Sequence, residues 1–212
     1  LGVSASAADM TFTPEGEGKW IYCNNPEAIR NQDLMNSDDN PPSYIMNNEN
    51  LEPDLYDFLI CHINYTDSNG GYGAGYEIEV DVELTAVEDS EITINKAFFE
   101  AVEDESFIFS DGTWSKETNK FGCINGLASM LGVNLSQLNG AWLYEAKPYE
   151  PVTVELKKGE TIWLSDYMDD YTSIGYHKPS QILGELSLNY GKMNFNVAAF
   201  KTGDELKDRS SF

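Results

Sequence analysis

The sequence predicts an all-β fold, an antiparallel β-sandwich of jelly-roll or Ig-like type with one short helix. The first observation is the stretch Tyr76–Thr85, where apolar residues alternate with acidic or polar ones, which is the period of a half-buried strand. The second is a series of about ten short segments of this kind, separated by turn residues at sandwich or barrel spacing. The third is the abundance of aromatic residues, 12 Tyr, 10 Phe and 4 Trp, which favour strands.

The stretch Tyr76–Thr85 also predicts what each of its faces carries. One face is apolar, with Tyr76, Ile78, Val80, Val82 and Leu84, and the other carries Glu77, Glu79, Asp81, Glu83 and Thr85. We expect the apolar face in the core and the four carboxylates in water. Repulsion along such a row would cost some stability and discourage pairing between sheet edges.

Further elements are predicted before this strand. Lys19–Cys23 reads as a strand, and residues 26–35 as the place of a short helical turn with Pro26 at its first position. Leu55–Tyr65 is apolar on both faces, with Phe58, Ile60 and His62 on one and Leu59, Cys61 and Ile63 on the other. This strand should therefore be central and buried on both sides.

The elements after the acidic strand follow from the same patterns. Glu91–Val102 reads as a strand with Ile92 and Ile94 inward and a bulge near Lys96–Ala97. Residues 124–139 carry apolar residues at helical spacing and form the one predicted helical region.

Two hairpins are predicted towards the C-terminal end. Residues 152–156 should pair with Thr161–Ser165 across a turn at Gly159. Ile182–Leu188 should pair with Met193–Phe200 across residues 189–192, and Met193, Phe195 and Val197 should share one face.

The 212 residues suit one large all-β domain. We assign residues 1–8 to a signal-peptide remnant or flexible tail, 9–201 to a single sandwich domain with an irregular N-terminal region, and 202–212 to a polar tail that could lead to further domains. Ala5–Ala7 matches the small-x-small pattern of a signal-peptidase site. The chain is therefore expected to be secreted or at the cell surface. No run approaches the ~18 apolar residues of a membrane-spanning helix, so no membrane insertion is expected.

The charge balance limits the partners. Acidic residues number 36 against 13 basic ones, a formal charge of −23. Such a surface repels phosphate backbones and anionic lipids, so it argues against nucleic acid and against anionic membrane surfaces as partners. Cations, basic proteins and neutral ligands such as glycans remain, and so does a plain role of the charge in solubility.

The cysteines and histidines do not form a recognisable reactive site. Cys23, Cys61 and Cys123 lie far apart without a C-x-x-C pair, which predicts buried thiols rather than zinc ligands. His62 alternates with core residues and is predicted to be packed and hydrogen-bonded. No nucleophile motif or phosphate loop occurs, and carboxylates are too frequent for a glycosidase pair to be chosen.

The segment from Trp163 to His177 is the predicted ligand-binding loop. Aromatic rings can stack on the apolar faces of sugars, and carboxylates can accept hydrogen bonds from hydroxyl groups. The candidate residues in this loop are Trp163, Asp166, Tyr167, Asp169, Asp170, Tyr171, Tyr176 and His177. The alternative is that these rings cover an edge of the sandwich. Core packing suffices to explain Trp20, Trp114 and Trp142.

No cofactor is required by these patterns, and calcium is the one metal ion for which the loops offer ligands. It takes six to eight oxygen ligands. Asp38 and Asp39 are the candidate ligands, in a loop that also holds Asp33, Asn36 and Asn40; the loop with Asp166, Asp169 and Asp170 is a second candidate. The EF-hand pattern is absent, and solvated acidic loops are the alternative.

These observations favour an exported, bacterial cell-surface or extracellular binding module whose partner is a glycan or a protein. A structural or adhesive domain without a small ligand is one alternative. An extracellular hydrolase with unidentified carboxylates is another, and an enzyme is the less favoured reading because no catalytic motif selects its residues.

Overall fold

The computed structural model of the chain describes residues 19–35, 43–67, 75–101, 149–169, 171–176 and 178–203. These residues form two β-sheets packed face to face, which confirms the predicted antiparallel sandwich. The helix predicted within residues 124–139 lies outside the described residues. No helix in the described ranges is long and apolar enough to cross a membrane.

Ten strands and two short 3-10 helices make up the described part of the chain. The strands are β1 Lys19–Cys23, β2 Ala28–Ile29, β3 Met46–Leu51, β4 Asp54–Asn64, β5 Ile78–Ala86, β6 Ser90–Ala101, β7 Val152–Leu156, β8 Thr161–Trp163, β9 Pro179–Tyr190 and β10 Met193–Lys201. The 3-10 helices are Asn31–Asp33 and Leu164–Tyr167. The short helical turn predicted within residues 26–35 is present, but it begins at Asn31, after β2, and not at Pro26.

The strand order is that of a jelly roll. The larger sheet has the order β1-β4-β9-β6-β7, with β2 also pairing with β4, and the smaller sheet has the order β3-β10-β5-β8. From β3 to β10, each strand lies in the opposite sheet from the one before it, except that β6 and β7 are neighbours. All pairs among these eight strands are antiparallel, whereas β1 and β2 run parallel to β4. Of the two predicted sandwich types, the jelly roll is the one observed.

Both predicted hairpins are wrong. Strand β7 belongs to the larger sheet and β8 to the smaller, and β9 and β10 are divided in the same way. Gly159 and Gly191 have φ of 86° and 87° in the two connections, where the chain crosses from one sheet to the other. Two consecutive strands that each have one apolar face can bury those faces in two ways. They can pair as neighbours in one sheet, or they can lie in opposite sheets and face each other across the core. Alternation alone does not distinguish the two arrangements.

The core lies between the sheets and contains the side chains predicted to point inward. Ile78, Val80 and Val82 on β5 are buried, as are Ile92 and Ile94 on β6 and Met193, Phe195 and Val197 on β10. The rings of Phe58 and Phe195 meet across the sheets with centroids 5.9 Å apart. The inward-facing assignments for β5, β6 and β10 are therefore confirmed.

The irregularity predicted in β6 is also observed. The pairing of β6 with β9 shifts register between Ile94 and Lys96, one or two residues from the predicted bulge. Gly184 of β9 lies at this point, and a Cβ on it would come 2.1 Å from the Lys96 carbonyl oxygen. A residue without a side chain is therefore needed where the bulged strand approaches.

The acidic face of β5 corrects the sequence interpretation. Glu77 is exposed, but Asp81 and Glu83 are buried, at 0% and 8% exposure, and Glu79 is half-buried. A second apolar cluster covers this outer face of the smaller sheet; its members are Met35, Tyr44, Trp163, Ala198 and Phe200. Strand β5 is thus covered on both sides, and the residues that cover it come from segments remote in sequence.

The buried carboxylates of β5 have hydrogen-bond donors. Asp81 Oδ1 accepts from the Val82 N–H at 2.8 Å and from the Ser165 N–H at 3.1 Å. Glu83 accepts from the Tyr44 hydroxyl at 3.0 Å and from Asn196 Nδ2 at 3.0 Å. These donors offset the desolvation of each carboxylate. The carboxylates therefore join the sheet to its cover and do not form a repulsive surface.

Asn64 at the end of β4 belongs to the sequence pattern of an N-glycosylation acceptor, but it is fully buried. Its Nδ2 donates to the carbonyl oxygens of Tyr76 and Ile174, both at 2.8 Å. Its Oδ1 accepts from the Thr66 N–H and hydroxyl at 3.0 and 2.6 Å. The side-chain amide of Asn64 uses all its hydrogen-bonding capacity inside the fold. It thereby joins the end of β4 to the segments that hold Tyr76 and Ile174.

Candidate ligand-binding site

The predicted ligand-binding loop begins with a buried residue. Trp163 is 5% exposed, and its ring meets Phe200 edge-on with centroids 5.4 Å apart. The chain then turns through the 3-10 helix Leu164–Tyr167, whose Leu164 is buried in the core. The indole of Trp163 therefore packs against the smaller sheet.

The tyrosines of this loop are half-buried. Tyr171 donates its hydroxyl to the Val80 carbonyl oxygen at 3.0 Å, and its ring lies 5.0 Å from that of Phe99. Tyr167 packs against the core, and burial, then the charge of Asp166, raise its pKa. The side chain of Tyr176 lies over Gly75. The tyrosine rings of this loop thus pack partly against the sandwich.

The described carboxylates of the loop are more exposed to solvent than its tyrosines. Asp166 and Asp169 are exposed. Asp170 and His177 lie outside the described residues, as do Asp38 and Asp39 of the predicted calcium site. Asp33 is described, and its carboxylate accepts a hydrogen bond from the Arg30 N–H at 2.7 Å. The described residues hold no group of three or more His, Cys, Asp or Glu side chains that could bind a metal ion.

A second candidate site lies on the outer face of the larger sheet. Ile21 and Cys23 of β1 point into the core, so Trp20 and Tyr22 point outward. Trp20 is 42% exposed and Tyr22 58%. We call these two rings the aromatic platform. Two exposed aromatic rings at alternate positions of one strand place apolar surface side by side on one face, which is typical of a binding site.

A row of polar residues extends from Trp20 across the larger sheet. Trp20 is the register partner of Asp57 on β4, Asp57 of Glu185 on β9, and Glu185 of Lys96 on β6. We call Asp57, Glu185 and Lys96 the polar row. Register partners lie about 5 Å apart and share a face, so the polar row starts directly beside the indole of Trp20.

Burial and charge act on this row together. Asp57 is half-buried, and its pKa is raised first by that burial and next by the negative charge of Glu185, while Lys96 acts in the opposite direction. A partly desolvated carboxylate is a stronger hydrogen-bond acceptor towards a ligand hydroxyl than a fully hydrated one. The row therefore offers both acceptors and an ammonium donor beside the platform.

An apolar row runs parallel to the polar row. Tyr22 is in register with Leu59, Leu59 with Leu183 and Leu183 with Phe98. The Phe98 ring meets Tyr149 edge-on with centroids 5.8 Å apart. Tyr149 in turn donates its hydroxyl to the Tyr167 carbonyl oxygen at 3.1 Å. The row thus connects the aromatic platform to the start of the predicted ligand-binding loop.

The outer face of β4 is less buried than the sequence predicts. Strand β4 is central, between β1 and β9, but Leu59, Cys61 and Ile63 on its outer face are only half-buried. Exposure on this side of the larger sheet increases from Leu183, which is fully buried, to the platform on β1. The accessible part of the face is therefore its β1 side.

Cys23 and His62 form a contact on the inner side of β1 and β4. The thiol Sγ lies 3.5 Å from His62 Nε2, and His62 Nδ1 lies 2.7 Å from the Pro26 carbonyl oxygen. Burial raises the pKa of Cys23 to about 11 and lowers that of His62 to about 4. Both groups are therefore neutral near pH 7, and the pair lacks the thiolate that a nucleophile requires. The predicted packed, hydrogen-bonded state of His62 is confirmed.

The aromatic platform was not predicted from the sequence, although the necessary pattern is present in β1. The strand Lys19–Cys23 was predicted, and its apolar residues Ile21 and Cys23 imply that Trp20 and Tyr22 lie on the opposite face. The assignment of Trp20 to the core is wrong. The polar row is harder to find, because the residues that form it are brought together only by strand pairing. Comparisons with protein-family models, with curated proteins and with solved structures find no match for this chain.

Proposed function

We propose that this chain is an exported binding module, bacterial and extracellular or on the cell surface, that binds glycans at the aromatic platform and the polar row. The observation that carries the proposal is the exposure of Trp20 and Tyr22 on the outer face of the larger sheet, where Trp20 is in register with charged residues on the neighbouring strands. Sugars present apolar ring faces and hydroxyl edges, and this surface offers a partner for each.

Hydrogen bonding from the polar row supports a sugar ligand. A ring stacked on Trp20 would place hydroxyl groups above β4, where Asp57 stands in register. Asp57 and Glu185 can each accept from two hydroxyls, and Lys96 can donate to a ring or hydroxyl oxygen. Such polar contacts beside a stacked ring orient the ligand and give specificity.

The net charge narrows the class of glycan. A chain with a formal charge of −23 repels uronic acids and sulfated or phosphorylated sugars. The polar row itself carries two carboxylates and one lysine. Neutral glycans are therefore favoured over anionic ones.

The fold is compatible with this function but does not select it. Jelly rolls occur in lectin domains and also in viral capsid proteins and cupins, so only the residues of the site indicate the function. A calcium-dependent site in the Trp163–His177 loop stays a second location for the same activity, because Asp166 and Asp169 are exposed there. A purely adhesive domain, and a hydrolase, are the other classes that the experiment must separate.

The test is a glycan array with the whole chain, with and without calcium, followed by calorimetric titration of the glycans that bind. We expect neutral glycans to bind, and Trp20→Ala to lower the affinity about tenfold or more, as removal of a central aromatic contact does. Loss of binding in Asp169→Ala with no effect of Trp20→Ala would instead place the site in the loop. No binding to any glycan would leave the adhesive domain, and release of reducing sugars would identify a hydrolase.

The control variant is Tyr190→Ala. Tyr190 is 46% exposed, slightly more than Trp20 at 42%, but it ends β9 beside the turn at Gly191. Its removal should leave glycan affinity unchanged. Trp20→Ala should still unfold in one cooperative transition, which shows that the loss of affinity comes from a folded protein.

A further inference from the structure

We infer that the ligand of the platform is an extended sugar chain that lies along β1 and covers at least two consecutive rings. This rests on the proposed function and specifies its ligand. The sequence places two aromatic residues at alternate positions of one strand, and the structure leaves both of them exposed on the same face.

The spacing of Trp20 and Tyr22 limits how much of the platform one sugar ring can cover. Residues two apart on a strand lie about 6.6–6.8 Å apart and project from the same face. A single sugar ring can cover one aromatic side chain of this pair but not both. To bury Trp20 and Tyr22 together, a ligand must extend in the direction of the strand.

The strands beside β1 determine the shape of the space that a ligand of the platform can occupy. On one side, β4 places Asp57 beside Trp20 and Leu59 beside Tyr22. On the other side of β1, no strand among the described residues is paired with it. Among the described residues, the platform is thus bordered by a strand on its β4 side only, which fits a chain laid along β1 better than a single sugar enclosed in a pocket.

The two platform residues have different neighbours on β4. The residue beside Trp20 is a carboxylate and the residue beside Tyr22 is apolar. Recognition of hydroxyls by carboxylates is thus concentrated at the Trp20 position, and the neighbour on β4 adds no polar group at the Tyr22 position. Trp20 should determine which sugar is bound, and Tyr22 should add affinity for a second ring of the chain.

The test is calorimetric titration with neutral β-1,4-linked oligosaccharides of glucose, xylose and N-acetylglucosamine, in lengths from one to six sugars. In the series that binds, affinity should rise about tenfold or more between the single sugar and the longer chains and then level off. Tyr22→Ala should remove this gain and leave the single-sugar affinity unchanged. Asp57→Asn should lower the affinity for every length.

Two results would overturn the inference while leaving glycan binding intact. One is a single sugar that binds as tightly as the six-sugar chain. The other is a Tyr22→Ala variant with wild-type affinity for long chains. If no glycan of any length or type binds, the proposed function itself fails. The Tyr190→Ala variant, which alters an exposed ring away from β1, should match the wild type at every length.

Discussion

At the scale of single residues, the contact between Cys23 and His62 illustrates how burial decides chemistry. Because the Pro26 carbonyl oxygen can only accept, His62 Nδ1 carries the proton and Nε2 is left to accept from the Cys23 thiol. The same two residue types form a reactive pair in enzymes when the thiolate is stabilised. Here desolvation keeps both groups neutral, and the contact serves packing.

The pKa of His62 predicts how stability depends on pH. Burial lowers it from the ordinary 6.5 to about 4, so between these values the unfolded chain binds a proton that the folded chain does not. The free energy of unfolding should therefore fall as the pH falls from about 6.5 to about 4, by about 3 kcal/mol from this residue. Below pH 4 its contribution should be constant.

The measurement is urea unfolding at about pH 7 and about pH 4.5 for the wild type and His62→Gln. Carboxylates titrate in the same window in both proteins, so the difference between the two pH dependences isolates His62. The variant should lose less stability on acidification. Equal slopes would contradict the prediction, and so would an NMR titration in which the imidazole of His62 becomes charged near pH 6.5.

Only part of the candidate site could have been predicted from single residues and their neighbours in the sequence. Alternation within β1 is local information, so the outward direction of Trp20 and Tyr22 could have been derived from Ile21 and Cys23. The neighbours of Trp20 could not. Asp57, Glu185 and Lys96 become a row only through the registers of three strand pairs, and register depends on the whole fold.

At the scale of elements, β5 was predicted as a half-buried strand and is buried on both faces. The alternation itself was interpreted correctly, because Ile78, Val80 and Val82 face the core. The error concerned the other face, where carboxylates were assigned to water. Their cover comes from residues 35 and 44 and from β8 and β10, and no periodicity within β5 could reveal a cover contributed by distant segments.

The burial of Asp81 reverses the expected effect of replacing it. On an exposed repulsive face, Asp81→Thr would stabilise the protein. Here Asp81 Oδ1 accepts from the N–H of buried Val82 and of half-buried Ser165, so the change should remove the acceptor of both and lower the free energy of unfolding by about 2–3 kcal/mol. Urea unfolding is the measurement.

The matched control for Asp81 is Glu77, the exposed carboxylate near the start of the same strand. Glu77 accepts one hydrogen bond from the Ser173 hydroxyl at 2.7 Å, at the surface. Glu77→Thr should change stability by about 0.5 kcal/mol or less. An Asp81→Thr variant that is as stable as Glu77→Thr, or more stable than the wild type, would contradict the structure of this face.

At the scale of the whole molecule, the net charge affects the stability of the entire fold, whereas each ion pair acts only where it lies. Within the described ranges, three ion pairs join Lys19 to Asp54, Lys157 to Asp89 and Lys192 to Glu52, at 3.1, 2.9 and 3.4 Å. All three are at the surface, where such pairs contribute little. The excess of 23 negative charges is not compensated by them, so self-repulsion should dominate the electrostatic free energy of the folded state.

The last prediction follows from this imbalance. Raising NaCl from about 20 mM to about 300 mM shortens the screening length from about 20 Å to about 6 Å, so the Tm should rise by several degrees. The effect should be smaller in Glu155→Lys, because Glu155 of β7 stands directly opposite Glu91 of β6 and the change turns a repulsive pair into an attractive one. Calorimetric scans of both proteins across the salt series give the measurement. A Tm that falls with salt would mean that attractive ion pairs outweigh the net charge. If Tm rises equally in both proteins, the repulsion is distributed over the whole surface rather than concentrated at this strand pair.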